Sequence, residues 1–290
     1  MSRHPVVVIV GASRGIGRAA ALRFARRGAR LVLSARDAAA LERTAAACRA
    51  RGADVDTVVA DVRRDDDNAR IVLAALARHG RIDTWVGVAG VAAYGAVSEV
   101  PTDVYRRVLE TNLLGHIDGV RAVLPTLRAQ QHGRIVLIGS LYSKVTSPWM
   151  SAYVTSKFAL LGFSRSLRQE LRGTGVDVRV VLPATIDTPI YQRAVNFTGR
   201  AVHPLPPVAS PRRVARTIAR AAAGKGRREQ TVGRLQSATI PLAAAAPAVY
   251  DAVITALMRT LGLRGRGVVP SLGALDDAEV GPDAAAGGWR

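Results

Sequence analysis

Tyr153 and Lys157 stand four residues apart in Tyr153-Val154-Thr155-Ser156-Lys157, a spacing that puts a phenol and an ammonium on one face of a helix. A cation in that place favours phenolate, so the tyrosine can give or take a proton near neutral pH. Pairs of this kind also arise on ordinary helix surfaces. The chain's own usage sharpens the signal, because 38 of its 41 basic residues are Arg and Lys157 is one of three Lys. A compact ammonium rather than a planar guanidinium suits the task. Ser140 lies thirteen residues before Tyr153, at the end of the apolar run Ile135-Val136-Leu137-Ile138-Gly139. Beyond the carboxyl end of a parallel strand its hydroxyl would face the ligand crevice, although taken alone a capping or turn serine is the plainer reading.

These side chains need a scaffold, and the sequence outlines one. Val6-Val7-Val8-Ile9-Val10 reads as a buried parallel strand and runs into Gly11-Ala12-Ser13-Arg14-Gly15-Ile16-Gly17, which opens a helix. Glycines there let the backbone turn sharply and approach a diphosphate, whose charge meets the helix N–H groups. The spacing is G-x-x-x-G-x-G, and a purely structural turn is the competing reading. Further apolar runs, Arg30 to Ser34, Asp54 to Ala60, Asp83 to Val88, Arg134 to Gly139 and Val176 to Leu182, alternate with helical stretches around 15–28, 38–51, 66–79, 103–129 and 152–172. The alternation predicts an α/β domain, a doubly wound, Rossmann-like parallel sheet with helices on both faces. A proline-broken flap is expected over 187–210, then a helix from Pro211 to Ala223 and a short strand near Gln230 to Val232. Residues 1–235 would form the binding and catalytic domain, 236–263 an Ala-rich helical extension with a helix over Val249 to Leu263, and 264–290 a tail without fixed structure.

Composition closes off other classes. The chain has 290 residues, enough for one sizeable core. Cys48 is its single cysteine, and the five histidines show no metal-ligand spacing, so neither a disulfide scaffold nor a metal site is expected. The formal charge of +19 is dispersed over nearly every predicted helix, which predicts attraction to polyanions without readout and no specific nucleic-acid partner. A basic nucleic-acid or membrane-surface module is the weaker alternative. The first apolar run is too short for a secretory segment, and Pro247, Asp251 and Arg259 interrupt the stretch from Leu242 to Leu261, so no transmembrane segment and a cytoplasmic location are expected.

With these residues in view the sequence resembles the short-chain dehydrogenases/reductases, over about residues 5–233. The likeness rests on Gly11 to Gly17, Asp61-Val62, Ala89-Gly90, Asn112 in Thr111-Asn112-Leu113-Leu114-Gly115, Ser140, Tyr153 with Lys157, and Pro183 through Thr188, all in order. The resemblance implies that Tyr153 is the general acid in carbonyl reduction and the base in alcohol oxidation. Lys157 would lower its pKa and hold the nicotinamide ribose, Ser140 would bind the substrate oxygen, and Asn112 would kink its helix to hold a water near Lys157. It implies that Gly11, Ser13, Gly15, Ile16 and Gly17 cradle the cofactor, that Asp61 and Val62 contact the adenine, that Ala89 and Gly90 form the floor, and that Ile186 and Thr188, after Pro183, meet the carboxamide. A homodimer or homotetramer through the helices around 103–129 and 152–172 is implied as well. Two departures stand out: Gly87-Val88 replaces the family's paired asparagines, and Pro183-Ala184 replaces Pro-Gly.

At the end of the second strand, Ala35 occupies the place where a ribose-binding acid is expected, and Arg36 follows it. Arg14 and Arg36 converging on one phosphate would favour NADP(H), with NAD(H) as the alternative. Asp37 is read as the N-cap of the next helix, its use as the ribose acid being the competing view. Tyr142, Trp149 and Tyr191, with Leu141, Met150, Ile190, Val195 and Phe197, suggest an apolar wall for a small hydrophobic carbonyl or alcohol substrate. They serve equally well as flap packing. Lys144 is expected to face solvent, and Cys48 to be an inert packing residue. The altered Gly87-Val88 segment leaves a second possibility, an NADP(H)-binding sensor without turnover.

Overall fold

A computed structural model describes residues 4–277 and 281–290, with the side chain of Arg234 outside the description. Strands and helices first alternate strictly: β1 (Val6–Val10), α1 (Gly15–Ala25), β2 (Arg30–Ala35), α2 (Ala38–Arg49), β3 (Val55–Val59), α3 (Asp65–His79) and β4 (Thr84–Gly87). A short β5 (Ala93–Tyr94) precedes α4 (Thr102–Leu109), a π-helical turn (Glu110–Leu114) and α5 (Gly115–Ala129). Then come β6 (Gly133–Ile138), α6 (Ser151–Glu170) and β7 (Val176–Pro183). The flap region holds β8 (Val195–Asn196) and β9 (Ala201–Val202), followed by α7 (Pro211–Ala222), β10 (Glu229–Val232), α8 (Arg234–Ser237), α9 (Thr239–Ala245), α10 (Pro247–Leu257) and β11 (Leu263–Arg264).

Seven strands form one parallel sheet in the order β10-β7-β6-β4-β1-β2-β3. Every residue of β1 is buried because both faces of the sheet are covered, which is why the strand reads as an unbroken apolar run. Alternate residues serve opposite cores: Val7, Ile9, Leu31 and Leu33 pack with α1, α2 and α7, whereas Val8, Val10 and Val32 pack with α3, α5 and α6. The doubly wound Rossmann-like architecture is the one expected. Local chemistry sets the boundaries: Asp37 caps α2 by accepting from the Ala40 amide at 2.9 Å, Gly80 ends α3 with φ 69°, and Ser210 caps α7 with Pro211 in its first turn.

Two regions differ from expectation, and the extension between them takes a definite place. The single helix expected over 103–129 is divided by the π turn, because the Asn112 side chain is bonded to both backbone groups of Val91 at 2.8 and 2.9 Å and holds the chain out of α register. The extension is helical as expected over Thr239–Ala245 and Pro247–Leu257, and α10 and the residues after it pack against the domain through Tyr250, Ile254, Met258 and Leu263. The tail expected to lack fixed structure is seated, over its described residues, along the open side of the sheet. Its backbone and acidic groups find partners in Arg14, Arg36, Arg43 and Asp187, contacts between residues more than 200 positions apart for the three arginines, which no local apolar period announces. Residues 278–280 of that expectation lie outside the described residues. Among the described residues no helix is long and apolar enough to cross a membrane, and no cluster of metal-ligating side chains occurs.

Candidate active site and dinucleotide crevice

The order of the sheet reverses between β1 and β4, so the loops after these strands part and leave a crevice at their carboxyl ends. Gly11, with φ 91°, makes the first turn, and a Cβ there would lie 2.5 Å from the Ala89 amide nitrogen. Gly17 lets α1 press against the turn, since a Cβ would collide with the Gly11 carbonyl. The crevice, with a cavity volume of about 200 Å³, is lined along this turn by Ser13, Arg14, Gly15 and Ile16, across the sheet by Arg36, Asp61, Val62, Ala89 and Gly90, and on the flap side by Thr188 and Arg193. Pro183 and Ile186 are not among the lining residues. Pro183 ends β7, and Ile186 is buried in the core beside α7, bridged to Ala209. Ile186 was expected at the carboxamide, but its apolar side chain turns inward while Thr188 takes the crevice wall.

The expected catalytic residues stand beside this crevice, Ser140 and Tyr153 in the wall of the adjoining cavity and Lys157 and Asn112 close to Gly90. β6 delivers Ser140, and α6 carries Tyr153 and Lys157 one turn apart. Ser140 also accepts from the Tyr142 amide at 3.1 Å, so the capping reading and the functional one hold together. The Tyr153 phenol and the Ser140 hydroxyl share one cavity wall, and the Lys157 ammonium lies 5.7 Å from the phenol ring centre while donating to the Ile138 carbonyl at 3.0 Å. Asn112 donates to Ser156 at 3.1 Å, and Ser156 donates to the Tyr153 carbonyl at 2.6 Å, which ties the π turn to the helix bearing both reactive groups. Burial moves both reactive groups toward neutrality. The Tyr153 phenol is pushed up to about 12, partly offset by the neighbouring Ser140 hydroxyl, and the Lys157 ammonium is brought down to about 8. The expected lowering of the Tyr153 pKa by Lys157 is absent because desolvation dominates at both groups.

A second cavity opens directly beyond Tyr153. Tyr142, Met150, Tyr153, Ile190 and Tyr191 line it as expected, and Ala92 and Ile190 line the dinucleotide crevice as well. Trp149 does not belong to its wall. It packs behind the wall with Met150 and Met258 and has the Arg259 guanidinium 5.7 Å from its ring, whereas Val195 and Phe197 pack elsewhere, against Val91 and Val104. Residues that the sequence reading missed take their place: Tyr94, His203, Leu205, Tyr250, Ile254 and Met258. Only the four-residue spacing of Tyr250, Ile254 and Met258, on α10 and the turn after it, hinted at half of them. Lys144, expected in solvent, pairs with Glu229 at 2.9 Å. Cys48 is fully buried with its thiol pushed up to about 11 by desolvation, as suits a packing residue.

The protein can now be placed among known ones. The short chain dehydrogenase family model matches residues 5–198. The chain belongs to the short-chain dehydrogenase family. Similar members include the Bacillus subtilis protein "Uncharacterized oxidoreductase YxnA", 33% identical over 260 residues that span 88% of this chain and 73% of that one. A Burkholderia phymatum short chain dehydrogenase/reductase solved in complex with NAD matches with a TM-score of 0.76 at 27% identity, over 87% of this chain and 97% of the other. A metagenomic short-chain oxidoreductase solved in complex with NADP matches with a TM-score of 0.67 at 30% identity, over 79% of this chain and 96% of the other. These likenesses support use of a nicotinamide cofactor in this short-chain dehydrogenase.

The residues present fit such a group. A turn that no Cβ could enter, an eleven-residue helix opening onto the crevice and a buried ammonium beside Gly90 are what a diphosphate and a ribose require. The adenosine end is less simple than a pair of free arginines. Asp37 caps α2, as one reading of that carboxylate has it, and also pairs with Arg14 at 2.5 Å. Arg36 donates to the carbonyls of Ala274 and Leu275. Arg193, which the sequence reading missed, adds a third guanidinium brought down to about 10 by burial and then by Arg14 and Arg36.

The missing asparagines of this short-chain dehydrogenase have a structural counterpart. His116, wholly buried on α5, bonds through Nε2 to the Ala89 carbonyl at 2.8 Å, and a Cβ at Gly87 would lie 2.6 Å from its Nδ1. The imidazole therefore fills the room that a side chain at position 87 would need and fixes the crevice floor itself. Burial, and then the nearby Lys157, bring it down to about 4, so it is neutral at pH 7 and Nε2 is the donor.

Proposed function

We propose that this short-chain dehydrogenase is an NADP(H)-dependent oxidoreductase that interconverts an apolar carbonyl compound and its alcohol, with Tyr153 as general acid and base. One observation carries the reading. The hydroxyls of Ser140 and Tyr153 share the wall of an apolar cavity that adjoins the dinucleotide crevice, with the buried Lys157 ammonium behind them. The cofactor, when bound, supplies or accepts hydride. In reduction the substrate oxygen takes hydrogen bonds from Ser140 and Tyr153, and Tyr153 passes its proton to that oxygen as negative charge develops on it. Lys157 then stabilises the phenolate that remains. Asn112, through Val91 and Ser156, holds the π turn and the first turns of α6 in place. In oxidation the same groups work in reverse.

The preference for NADP(H) is supported by Ala35 in the ribose position and by Arg14, Arg36 and Arg193 around that end, against the carboxylates of Asp37 and Asp61. The aromatic and aliphatic wall formed by Tyr94, Tyr142, Met150, Tyr191, Ile254 and Met258 supports an apolar substrate. Turnover is favoured over a sensor role because His116 supports the floor that Gly87-Val88 had put in question. Assembly as a homodimer or homotetramer belongs to the same reading, with Leu114 and Phe158 exposed beside and on the long helices. The purified protein is to be mixed with NADPH or NADH and a panel of aldehydes and hydrophobic ketones, and loss of reduced cofactor followed. NADPH oxidation that depends on a carbonyl and disappears in Tyr153→Phe is the expected result. Inactivity across the panel, or equal rates in Tyr153→Phe, would overturn the reading.

A further inference from the structure

Residues 273–289, over their described part, lie along the mouth of the dinucleotide crevice, and their contacts fall on the groups that a bound dinucleotide needs. The Ala284 carbonyl accepts from the Gly15 amide at 3.0 Å, at the N-terminus of α1. The Asp283 carboxylate pairs with Arg43 and lies 3.6 Å from both Arg14 Nε and Arg18 Nη1. Ala274 and Leu275 offer their carbonyls to Arg36. On the flap side the Gly287 and Trp289 amides donate to Asp187 at 2.9 and 3.0 Å, and the Trp289 indole stands edge-on to Tyr191 and His203 with ring centres 6.0 and 5.5 Å away. The described groups of this segment that reach these arginines and the Gly15 amide are carboxylate or carbonyl oxygens. In a chain of +19, an acidic stretch fitted to this basic rim is a complementary surface.

We propose that residues 283–289 are an internal anionic ligand of the dinucleotide crevice, holding the Gly15 amide and the Arg14, Arg18 and Arg43 cluster until NADP(H) displaces them. The proposal rests on the cofactor reading above. A single N–H cannot serve a carbonyl and a diphosphate together, and a carboxylate among these arginines repels the 2′-phosphate they would bind. Displacement has a second consequence. Trp289 leaves the two aromatic groups that line the substrate cavity, so cofactor binding frees the flap and precedes substrate binding.

The full-length protein and two full-length variants test this by calorimetric titration with NADP+ and NAD+. Asp283→Asn removes the charge, and Gly287→Val unseats the segment sterically, since a Cβ at 287 would lie 2.5 Å from the Thr188 carbonyl. If the segment occupies the crevice about four-fifths of the time, either variant tightens NADP+ binding about fivefold. The gain in Asp283→Asn should be smaller for NAD+, which has no 2′-phosphate. Hydrogen exchange of the Gly287 and Trp289 amides in the unaltered protein should accelerate on saturation with NADP+. Unchanged or weakened NADP+ affinity in both variants, or undiminished protection of those amides, overturns the internal ligand while leaving the cofactor reading intact. Failure of all three proteins to bind either dinucleotide overturns both.

Discussion

At the Tyr153 end of the site burial alone decides which way the reacting groups shift, whereas at the Arg36 end burial, which lowers Arg36 and Arg193, is set against arginines and hydrogen bonds that hold Asp37 and Asp61 below the usual carboxylate range. Tyr153 and Lys157 are moved toward neutrality by desolvation in a shell of apolar and hydroxyl groups. Arg14, Arg36 and Asp61 instead have charged or carbonyl partners within hydrogen-bonding distance. The first kind of site is rigid and indifferent to salt; the second is adjustable and open to competition. The difference is sharpest in Tyr153→Phe, which removes one oxygen from the buried end. Carbonyl reduction should fall by about 10³-fold in kcat, a proton-transfer loss of the usual size, with cofactor affinity nearly unchanged. Steady-state kinetics and cofactor titration of the same preparation check both halves.

Lys157 extends the comparison to stability. Its folded pKa of about 8 lies below the ordinary 10.5, so the unfolded chain binds the proton more readily. The resulting penalty is fully present below pH 8 and fades as pH rises from 8 toward 10.5, amounting to roughly 3 kcal/mol at neutral pH. Lys157→Met should therefore lose activity yet gain about 2 kcal/mol at pH 7, after allowance for the lost hydrogen bond to the Ile138 carbonyl. The gain should vanish by about pH 10.5 in denaturant titrations. In the unaltered enzyme kcat/KM for reduction should decline above about pH 8, as the ammonium is lost.

How far the sequence reveals such a site depends on the range of the interactions involved. The sheet was legible because each parallel strand is buried on both faces and therefore spells an apolar run between glycine turns. Ser140, Tyr153 and Lys157 were legible because a strand end and a helical turn fix their separation. Arg193, His116 and the Asp283 segment were not legible. Their meaning lies in contacts across 27 to more than 200 residues, with Ala89 for His116 and with Arg14 and Arg43 for Asp283. Trp149 illustrates the opposite failure, an aromatic residue in the right stretch of chain that packs behind the cavity wall instead of lining it.

His116 occupies the border between the two regions, and its replacement should have the next largest effect. His116→Ala leaves a void and an unmet Ala89 carbonyl, a loss of about 2 kcal/mol. Gly87→Asn alone should also destabilise, because its Cβ would lie 2.6 Å from the imidazole. Combined, the two changes should recover at least half of the loss, since the new amide gains the space that the imidazole leaves. Additive losses in thermal denaturation would refute that exchange. In the unaltered protein the folded pKa of about 4 lies below the ordinary 6.5. Stability from this group is therefore intact above pH 6.5 and is lost as pH falls toward 4.

Arg36→Ala probes the charged end, where the expected effect is smallest and most dependent on conditions. A partly exposed guanidinium bound to a phosphate contributes about 1.5 kcal/mol, so KM for NADPH should rise about tenfold at low salt. In the unaltered enzyme KM for NADPH should rise with ionic strength, whereas in Arg36→Ala the dependence should flatten, because the screened charge is gone. For NADH the outcome differs in sign. Arg36 also holds the carbonyls of Ala274 and Leu275, so its removal loosens the segment over the crevice without costing a 2′-phosphate contact. An NADH KM that stays level or falls, while that for NADPH rises, would show that one arginine serves the cofactor and its internal competitor in turn. Equal increases for both cofactors would place Arg36 in general support of the crevice instead, and the charged end would then resemble the buried one in having a single task.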